Sequence, residues 1–285
     1  MVGLNWTGER LVTQLDNLHG VVEHLHRYSI AQGLSKGKIV LDIASGEGYG
    51  SALISNNATK VIGIDIDEES ISHAKEKYKS RHNLEYKVGS TSNIPITDNS
   101  VDFVVSFETL EHHDEHNQMM SEIKRVLKPG GMLLISSPEK SIYKKRDSNN
   151  PYHIKELELA ELEILLKSNF KFVEFFSQIF LSGSLITPID NSIKSDIVFY
   201  SGTYTEIEYK LSKDEFYNEP FFNLALCSNE PINRSFVQRS IFDGVNVIKA
   251  QISTYKDKYE KIINSTSYKL GNWFVNLFLF FKRKK

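Results

Sequence analysis

From about residue 36 to 137, blocks of alternating apolar and polar character follow one another along the chain. Short apolar runs at Ile39–Ile43, Val61–Asp65, Leu84–Val88, Val101–Phe107 and Met132–Ser137 read as strands. Between them the apolar spacing changes to threes and fours, as at Met120, Ile123, Val126 and Leu127 ahead of "KPGG", which is a helical period. Strands alternating with helices predict βαβ units and an α/β, doubly wound, mostly parallel sheet. Right-handed crossovers carry the C-terminal ends of such strands to one edge, where open α/β sheets bind ligands.

Upstream, "GVVEHLHRYSIAQGL" reads as a helix with Val21, Leu25 and Tyr28 on one stripe. Downstream, the polar loop "PEKSIYKKRDSNNPYH" leads to a helix in "KELELAELEILLKSN" and a strand in "FKFVEFF". Strand-like runs follow at Ile197–Tyr200 and Phe221–Cys227. From Val245 the apolar residues fall at Val245, Ile248, Ile252, Tyr255, Tyr259 and Ile262. That spacing fits packing on the chain's own domain, with a partner helix or a homodimer as the alternative. The expected organisation is an N-terminal helical lid over 1–35, a main domain over 36–235, and a C-terminal helix with an apolar and basic tail over 236–285.

The 285 residues carry a formal net charge of −2, which gives no general attraction for nucleic acid. The single cysteine, Cys227, excludes a disulfide framework and a cysteine-built zinc site, and reads as a buried thiol. The start, "MVGLNWTGER", lacks the apolar core of a signal peptide, so a cytoplasmic, reducing location is expected.

The first strand runs into "DIASGEGYGS", with Gly46, Gly48 and Gly50 close together. The dinucleotide fingerprint wants G-x-G-x-x-G/A, and Ser51 stands at its last position; no Gly-Lys-Ser/Thr phosphate loop is present. Asp42 precedes the glycines, where a carboxylate suits a cationic or hydroxyl-bearing ligand better than a pyrophosphate. Asp65 closes the second strand, where an acid can accept both hydroxyls of a ribose. Together they ask for a nucleoside with a free ribose and no phosphates. A plain turn, with Asp65 or Asp67 capping the next helix, is the competing account.

"VLDIASGEGYGS", "VIGIDIDEESISHA", "VGSTSNIPITDNSVDFVVSFETLEHH" and "EIKRVLKPGGMLLISSP" resemble, in order, the motifs of class I S-adenosylmethionine-dependent methyltransferases over about residues 38–138. "TGERLV", "EHLHRY" and "NPYHIKEL" look like a branch associated with bacterial surface-polysaccharide biosynthesis. The resemblance implies a seven-stranded Rossmann-like sheet with an antiparallel strand near its end, within 193–230. It implies S-adenosylmethionine as cofactor, with Gly46 and Gly48 against the methionine part, Asp65 on the ribose, Ile66 against adenine and Phe107 near the sulfur. Ser90 stands where many members carry an acid for the adenine amino group. Arg10 or Arg27 could pair with the methionine carboxylate, and Tyr28 is a residue of either the core or the site.

A sugar hydroxyl is a very weak acid, so its methylation needs a positioned base or a metal. "FETLEHHDEH" offers His112 and His113 as bases among Glu108, Glu111, Asp114 and His116, and "NPYHIKEL" offers His153. A solvated or structural cluster, and a helix-start role for His153, stay open. In some quinone-pathway relatives an acid ahead of the E-x-x-E-H pattern binds magnesium; Phe107 in that place argues against a divalent metal. The expected reaction is methyl transfer to a carbohydrate, on oxygen, with a nucleotide-linked sugar or a glycan as acceptor. N-methylation of an amino sugar or other small molecule, and a non-catalytic cofactor-binding partner of glycan-assembly enzymes, are the alternatives. The closing "NWFVNLFLFFKRKK" is apolar, aromatic and then basic. It suits either docking on its own domain or peripheral contact with the inner membrane surface.

Overall fold

The apolar runs become strands because both of their faces are covered. The structure is a computed structural model that describes residues 18–146, 150–180, 199–202, 207–210, 220–233 and 240–282. Strands β1 (Ile39–Ile43), β2 (Lys60–Asp65), β3 (Leu84–Val88), β4 (Val101–Phe107) and β5 (Leu127–Pro138) pair in parallel in the order β3-β2-β1-β4-β5. Two short strands, β7 (Phe199–Gly202) and β8 (Ile207–Lys210), form a separate antiparallel pair, which takes in the end of the Ile197–Tyr200 run. The main sheet continues with β9 (Phe222–Ser228) and then β6 (Phe172–Gln178), with β9 antiparallel to both neighbours. This is the seven-stranded, mostly parallel sheet that the alternation implies, with its antiparallel strand inside 193–230.

Alternate residues of each strand feed two cores, as a strand buried on both sides requires. Leu41, Ile43, Ile62, Ile64, Leu133 and Ile135 pack with α4 (His116–Val126) and α6 (Leu159–Lys167). Val40, Val61, Phe103, Val105 and Phe107 pack with α1 (Leu18–Leu34) and α2 (Tyr49–Ile54). Cys227 is buried in the first core, and burial pushes its thiol well up.

Two sequence expectations are corrected here. The buried face of α1 consists of Glu23, Arg27, Tyr28, Ala31 and Leu34, while Val21 and Leu25 are only half-buried. Arg27 faces inward because Gln178 of β6 and Glu108, just past β4, stand beside it, as described below. The long helix α7 (Val245–Asn264) does not bury its apolar stripe: Val245, Ile248, Ile252, Tyr255, Tyr259 and Ile262 are between 41% and 63% exposed. Its start is tied to the domain, where Ser240 meets His26 at 2.8 Å and Gly244 lies against Val22. Helix α8 (Thr266–Lys282) follows, with Tyr268, Leu270, Trp273, Phe274 and Val275 exposed. Among the described residues no helix is long and apolar enough to cross a membrane.

Candidate active site

The strand order reverses between β1 and β4, so the chains leaving these strands diverge and open a crevice at their C-terminal ends. The residues just past the two strands, Ala44 (φ 60°) and Glu108 (φ 52°), both hold the left-handed conformation that side chains other than glycine rarely take. Such strain clusters at functional sites.

The three glycines of the first loop do different things. Gly46 (φ 53°) borders open space, since a Cβ there meets nothing within 4 Å. Gly48 (φ 83°) caps α2, and a Cβ there would lie 2.5 Å from the Tyr86 hydroxyl. Gly50 lies under Tyr28, whose ring a Cβ would meet at 2.0 Å. Gly48 is therefore a packing glycine rather than a ligand-facing one on its Cβ side, because Tyr86 already fills that space.

Asp65 ties the first and second loops together. Its Oδ2 accepts from the Gly46 N–H at 2.7 Å and its Oδ1 from the Asp67 N–H at 3.0 Å. Each oxygen keeps a second lone pair. The helix-cap account applies to the neighbour instead: Asp67 accepts from the Ser70 N–H at 2.9 Å and opens α3 (Glu68–Lys77). Ile66, between them, is 74% exposed, an unusual state for an isoleucine beside a crevice. Ser90 is bound locally to the Ser92 hydroxyl at 3.1 Å.

Asp42 is not a ligand-facing carboxylate. It is fully buried and takes the Ser51 hydroxyl at 2.6 Å and the Tyr28 hydroxyl at 3.4 Å. Burial pushes its pKa up to about 7; the two hydroxyl donors pull it down, and the charge of Asp65 adds to the rise. Ser51, the position that breaks the dinucleotide fingerprint, is the residue that holds Asp42. Tyr28 also meets Phe107 edge-on at 5.0 Å and Tyr49 at 5.5 Å. Phe107 is thus a buried core residue under α1.

Arg27 is wholly buried. Its Nη1 donates to Gln178 at 2.7 Å, its guanidinium lies 4.5 Å from the Phe222 ring centroid, and Nη2 is 3.8 Å from Glu108. Its Nε and Nη2 are buried without a hydrogen-bond partner. His24 shares a hydrogen bond with the Tyr49 hydroxyl at 3.0 Å; burial, then the charge of Arg27, holds it well below the usual imidazole range, so it is neutral. Arg10 lies outside the described residues.

The second half of the site follows β4. A short 3₁₀ turn, Leu110–His112, is stapled to the downstream loop because the Glu111 carbonyl accepts from both the Ile154 N–H (2.8 Å) and the Lys155 N–H (3.0 Å). This brings His112 and His153, 41 positions apart in sequence, to a ring-centroid distance of 5.2 Å beside the Glu111 side chain, which is 1% exposed. His153 Nδ1 is 2.7 Å from Glu156 Oε1, and Tyr143 packs on its ring at 4.5 Å. His112 Nδ1 is 3.3 Å from the Tyr152 carbonyl oxygen. His113 is directed elsewhere, 3.5 Å from the Thr91 hydroxyl and edge-on to His116 at 5.3 Å; burial, then His116, lowers its pKa. The structure therefore unites His112 and His153 and separates His113 from them. Sequence reasoning missed Glu156 and Tyr143, although the spacing of three between His153 and Glu156 was a usable signal.

Comparison with known proteins follows the same outline. Residues 41–135 match the family model described as Methyltransferase domain. A Mycolicibacterium smegmatis protein named "Probable S-adenosylmethionine-dependent methyltransferase" is 37% identical over 165 residues, covering 57% of this chain and 63% of that protein. A Mycobacterium tuberculosis protein of the same description, Rv3030, is 34% identical over 166 residues, covering 57% and 60%. The chain thus spans about three fifths of the length of these curated relatives. Among solved structures, the PH0226 protein of Pyrococcus horikoshii superposes with a TM-score of 0.52 at 20% identity, covering 79% of this chain and 96% of that one. The YcgJ protein of Bacillus subtilis superposes at 0.50 and 18%, covering 73% and 100%. The fold is the Rossmann-like methyltransferase fold, and residues 41–135, from β1 to β5, are the part that matches the methyltransferase-domain model.

Proposed function

We propose that this protein is an S-adenosylmethionine-dependent methyltransferase that acts on a carbohydrate, at oxygen, with a nucleotide-linked sugar or a surface glycan as acceptor class. The observation that carries the cofactor is Asp65, whose two oxygens are fixed by the Gly46 and Asp67 N–H groups beside open space at Gly46. Two carboxylate oxygens with one lone pair each to spare match the two adjacent hydroxyls of a ribose. Their negative charge disfavours a pyrophosphate. Exposed Ile66 offers an apolar surface for the adenine, and Gly46 leaves room for the amino-acid end. Pairing of Arg10 with the methionine carboxylate belongs to the same proposal.

When bound, S-adenosylmethionine supplies a methyl carbon on a sulfonium, which leaves as a neutral thioether. The chain's own tasks are to align the acceptor, exclude water and take one proton. Proton removal is what makes a sugar hydroxyl reactive, and the Glu111, His112 and His153 cluster at the crevice is equipped for it. Glu156 and the Tyr152 carbonyl orient the two rings. Support for a carbohydrate comes from this cluster together with the resemblance of "EHLHRY" and "NPYHIKEL" to a surface-polysaccharide branch. A screen of nucleotide sugars with methyl-labelled S-adenosylmethionine tests the proposal. Label on a sugar oxygen is expected; label on an amino nitrogen, or no S-adenosylhomocysteine with any acceptor, rejects it.

The exposed faces of α7 and α8 support a further partner. Lys249, Lys256 and Lys258 flank the α7 stripe, and aromatic side chains line α8. A cationic border beside apolar groups suits an anionic membrane surface and disfavours self-pairing of like-charged edges. Flotation with anionic liposomes, with and without residues 268–285, is expected to recover only the full chain. Equal recovery, or a stable homodimer in place of liposome binding, overturns this assignment.

A further inference from the structure

We propose that Glu108 binds the acceptor, taking a hydrogen bond from a second sugar hydroxyl, one other than the hydroxyl that is methylated. Glu108 directly follows β4, at the crevice where the strand order reverses, and holds the left-handed conformation (φ 52°). That conformation costs free energy in a glutamate. Its carboxylate is divided between two surroundings. Oε1 accepts the Ser136 hydroxyl at 2.6 Å, from the β5 residue that pairs with Phe107. The same oxygen stands 3.8 Å from Nη2 of Arg27. Among the described residues Oε2 meets no donor and is not a buried atom, and the side chain as a whole is 16% exposed. One oxygen is thus held by the sheet, and the other is open to what enters the crevice.

Service as a counter-ion for Arg27 is the plainer role, and the geometry argues against it as the whole account. At 3.8 Å the pair is beyond hydrogen-bond range, although Nε and Nη2 of Arg27 have no hydrogen-bond partner. Gln178 on Nη1 and the Phe222 ring hold the guanidinium where it is. A carboxylate built only to neutralise it would close that gap, whereas here Oε1 goes to Ser136. The charge of Arg27 acts from behind, making an ionised carboxylate tolerable at a largely covered position. An ionised carboxylate only accepts hydrogen bonds, so the acceptor must present a donor to it. It repels a phosphate or a carboxylate, so any such group on the acceptor lies away from Glu108.

This inference rests on the carbohydrate reading and deepens it. Proton removal stays with the histidine cluster already described. Glu108 supplies a second point of attachment, and two points fix which hydroxyl of a ring faces the methyl group.

The test uses the full chain with methyl-labelled S-adenosylmethionine and UDP-glucose, UDP-galactose and GDP-mannose, together with the monodeoxy forms of whichever sugar is methylated. Glu108→Met keeps the length of the side chain and removes its oxygens. It should raise KM for the sugar about 10–100-fold, with a smaller change in kcat and unchanged S-adenosylhomocysteine binding by calorimetry. In the wild type, one monodeoxy sugar should show the same rise in KM. In Glu108→Met that sugar should bring no further rise, because the bond is already missing. If Glu108→Met does not fold, through the charge left on Arg27, the Arg27→Met/Glu108→Met pair decides by the same comparison. Equal KM in wild type and variant, or a deoxy penalty of equal size in both, overturns the inference alone. Weaker S-adenosylhomocysteine binding with an unchanged KM for the sugar assigns Glu108 to the ammonium group of the methyl donor and likewise overturns it. No methylation of any of these sugars overturns the carbohydrate reading and this inference with it.

Discussion

Replacing Asp42 by Asn should make the protein more stable at neutral and alkaline pH and remove much of the pH dependence of its folding. Asp42 is fully buried beneath the glycine loop, with a pKa of about 7 against an ordinary 3.8. An acid whose folded pKa is raised binds its proton more readily when folded. Its stabilising contribution is therefore complete below the unfolded pKa and is lost as pH rises through about 7. Between about pH 5 and pH 8 the wild type should lose roughly 2.5 kcal/mol through this one group. Asn keeps the shape and an acceptor for the Ser51 hydroxyl but cannot ionise. Urea unfolding of both proteins at a series of pH values gives the difference directly, and other titrating groups cancel between them. The Asn variant should gain on the wild type by about 2.5 kcal/mol on going from pH 5 to pH 8. Parallel stability curves would falsify the assignment of this shift to a buried, proton-holding Asp42.

Other substitutions separate packing from binding. Gly50→Ala should cost about 1–3 kcal/mol by driving a methyl group into the Tyr28 ring, measured by chemical denaturation. Gly46→Ala should cost only about 1 kcal/mol, for its positive φ, yet weaken S-adenosylhomocysteine binding at least about tenfold in calorimetry. Asp65→Ala should reduce that affinity by about 10–100-fold, from the loss of charge-assisted hydrogen bonds of about 1.5–3 kcal/mol; unchanged affinity removes Asp65 from the ribose. In turnover assays with a confirmed acceptor, His153→Ala should lower the rate at least about a hundredfold, whereas His113→Ala, set apart from the cluster, should lower it little.

Much of this fold could be read from the pattern. β1, β3 and β4 have the ends that the apolar runs suggest, because burial on both faces demands continuous apolar residues. The antiparallel strand also lies where expected, in Phe222–Ser228. What could not be read depends on neighbours distant in sequence. Nothing local distinguishes Gly46 from Gly48 and Gly50; Tyr86 and Tyr28 do. Asp42 looks like a ligand until the hydroxyls of Ser51 and Tyr28 are seen to occupy it. Phe107 shares its strand face with Phe103 and Val105, and α1 covers that face. The spacing in α7 is the same whether the stripe meets its own domain or something else, and only exposure decides. The union of His112 with His153 comes from a single backbone carbonyl holding two amides, which no spacing rule encodes.

The contact between Tyr28 and Gly50 has a consequence for how this crevice can diversify. The outline of the cofactor loop is borrowed from a helix that precedes the sheet, through one aromatic ring resting on a bare α-carbon. The inner side of α1 is consequently locked to the loop: a bulkier or smaller group at Tyr28 reshapes the nucleoside cradle at one remove. Its outer side answers to a different neighbour, the segment that leads into α7, through His26 and Val22, so the two sides of one helix tie the loop and the C-terminal helices to each other.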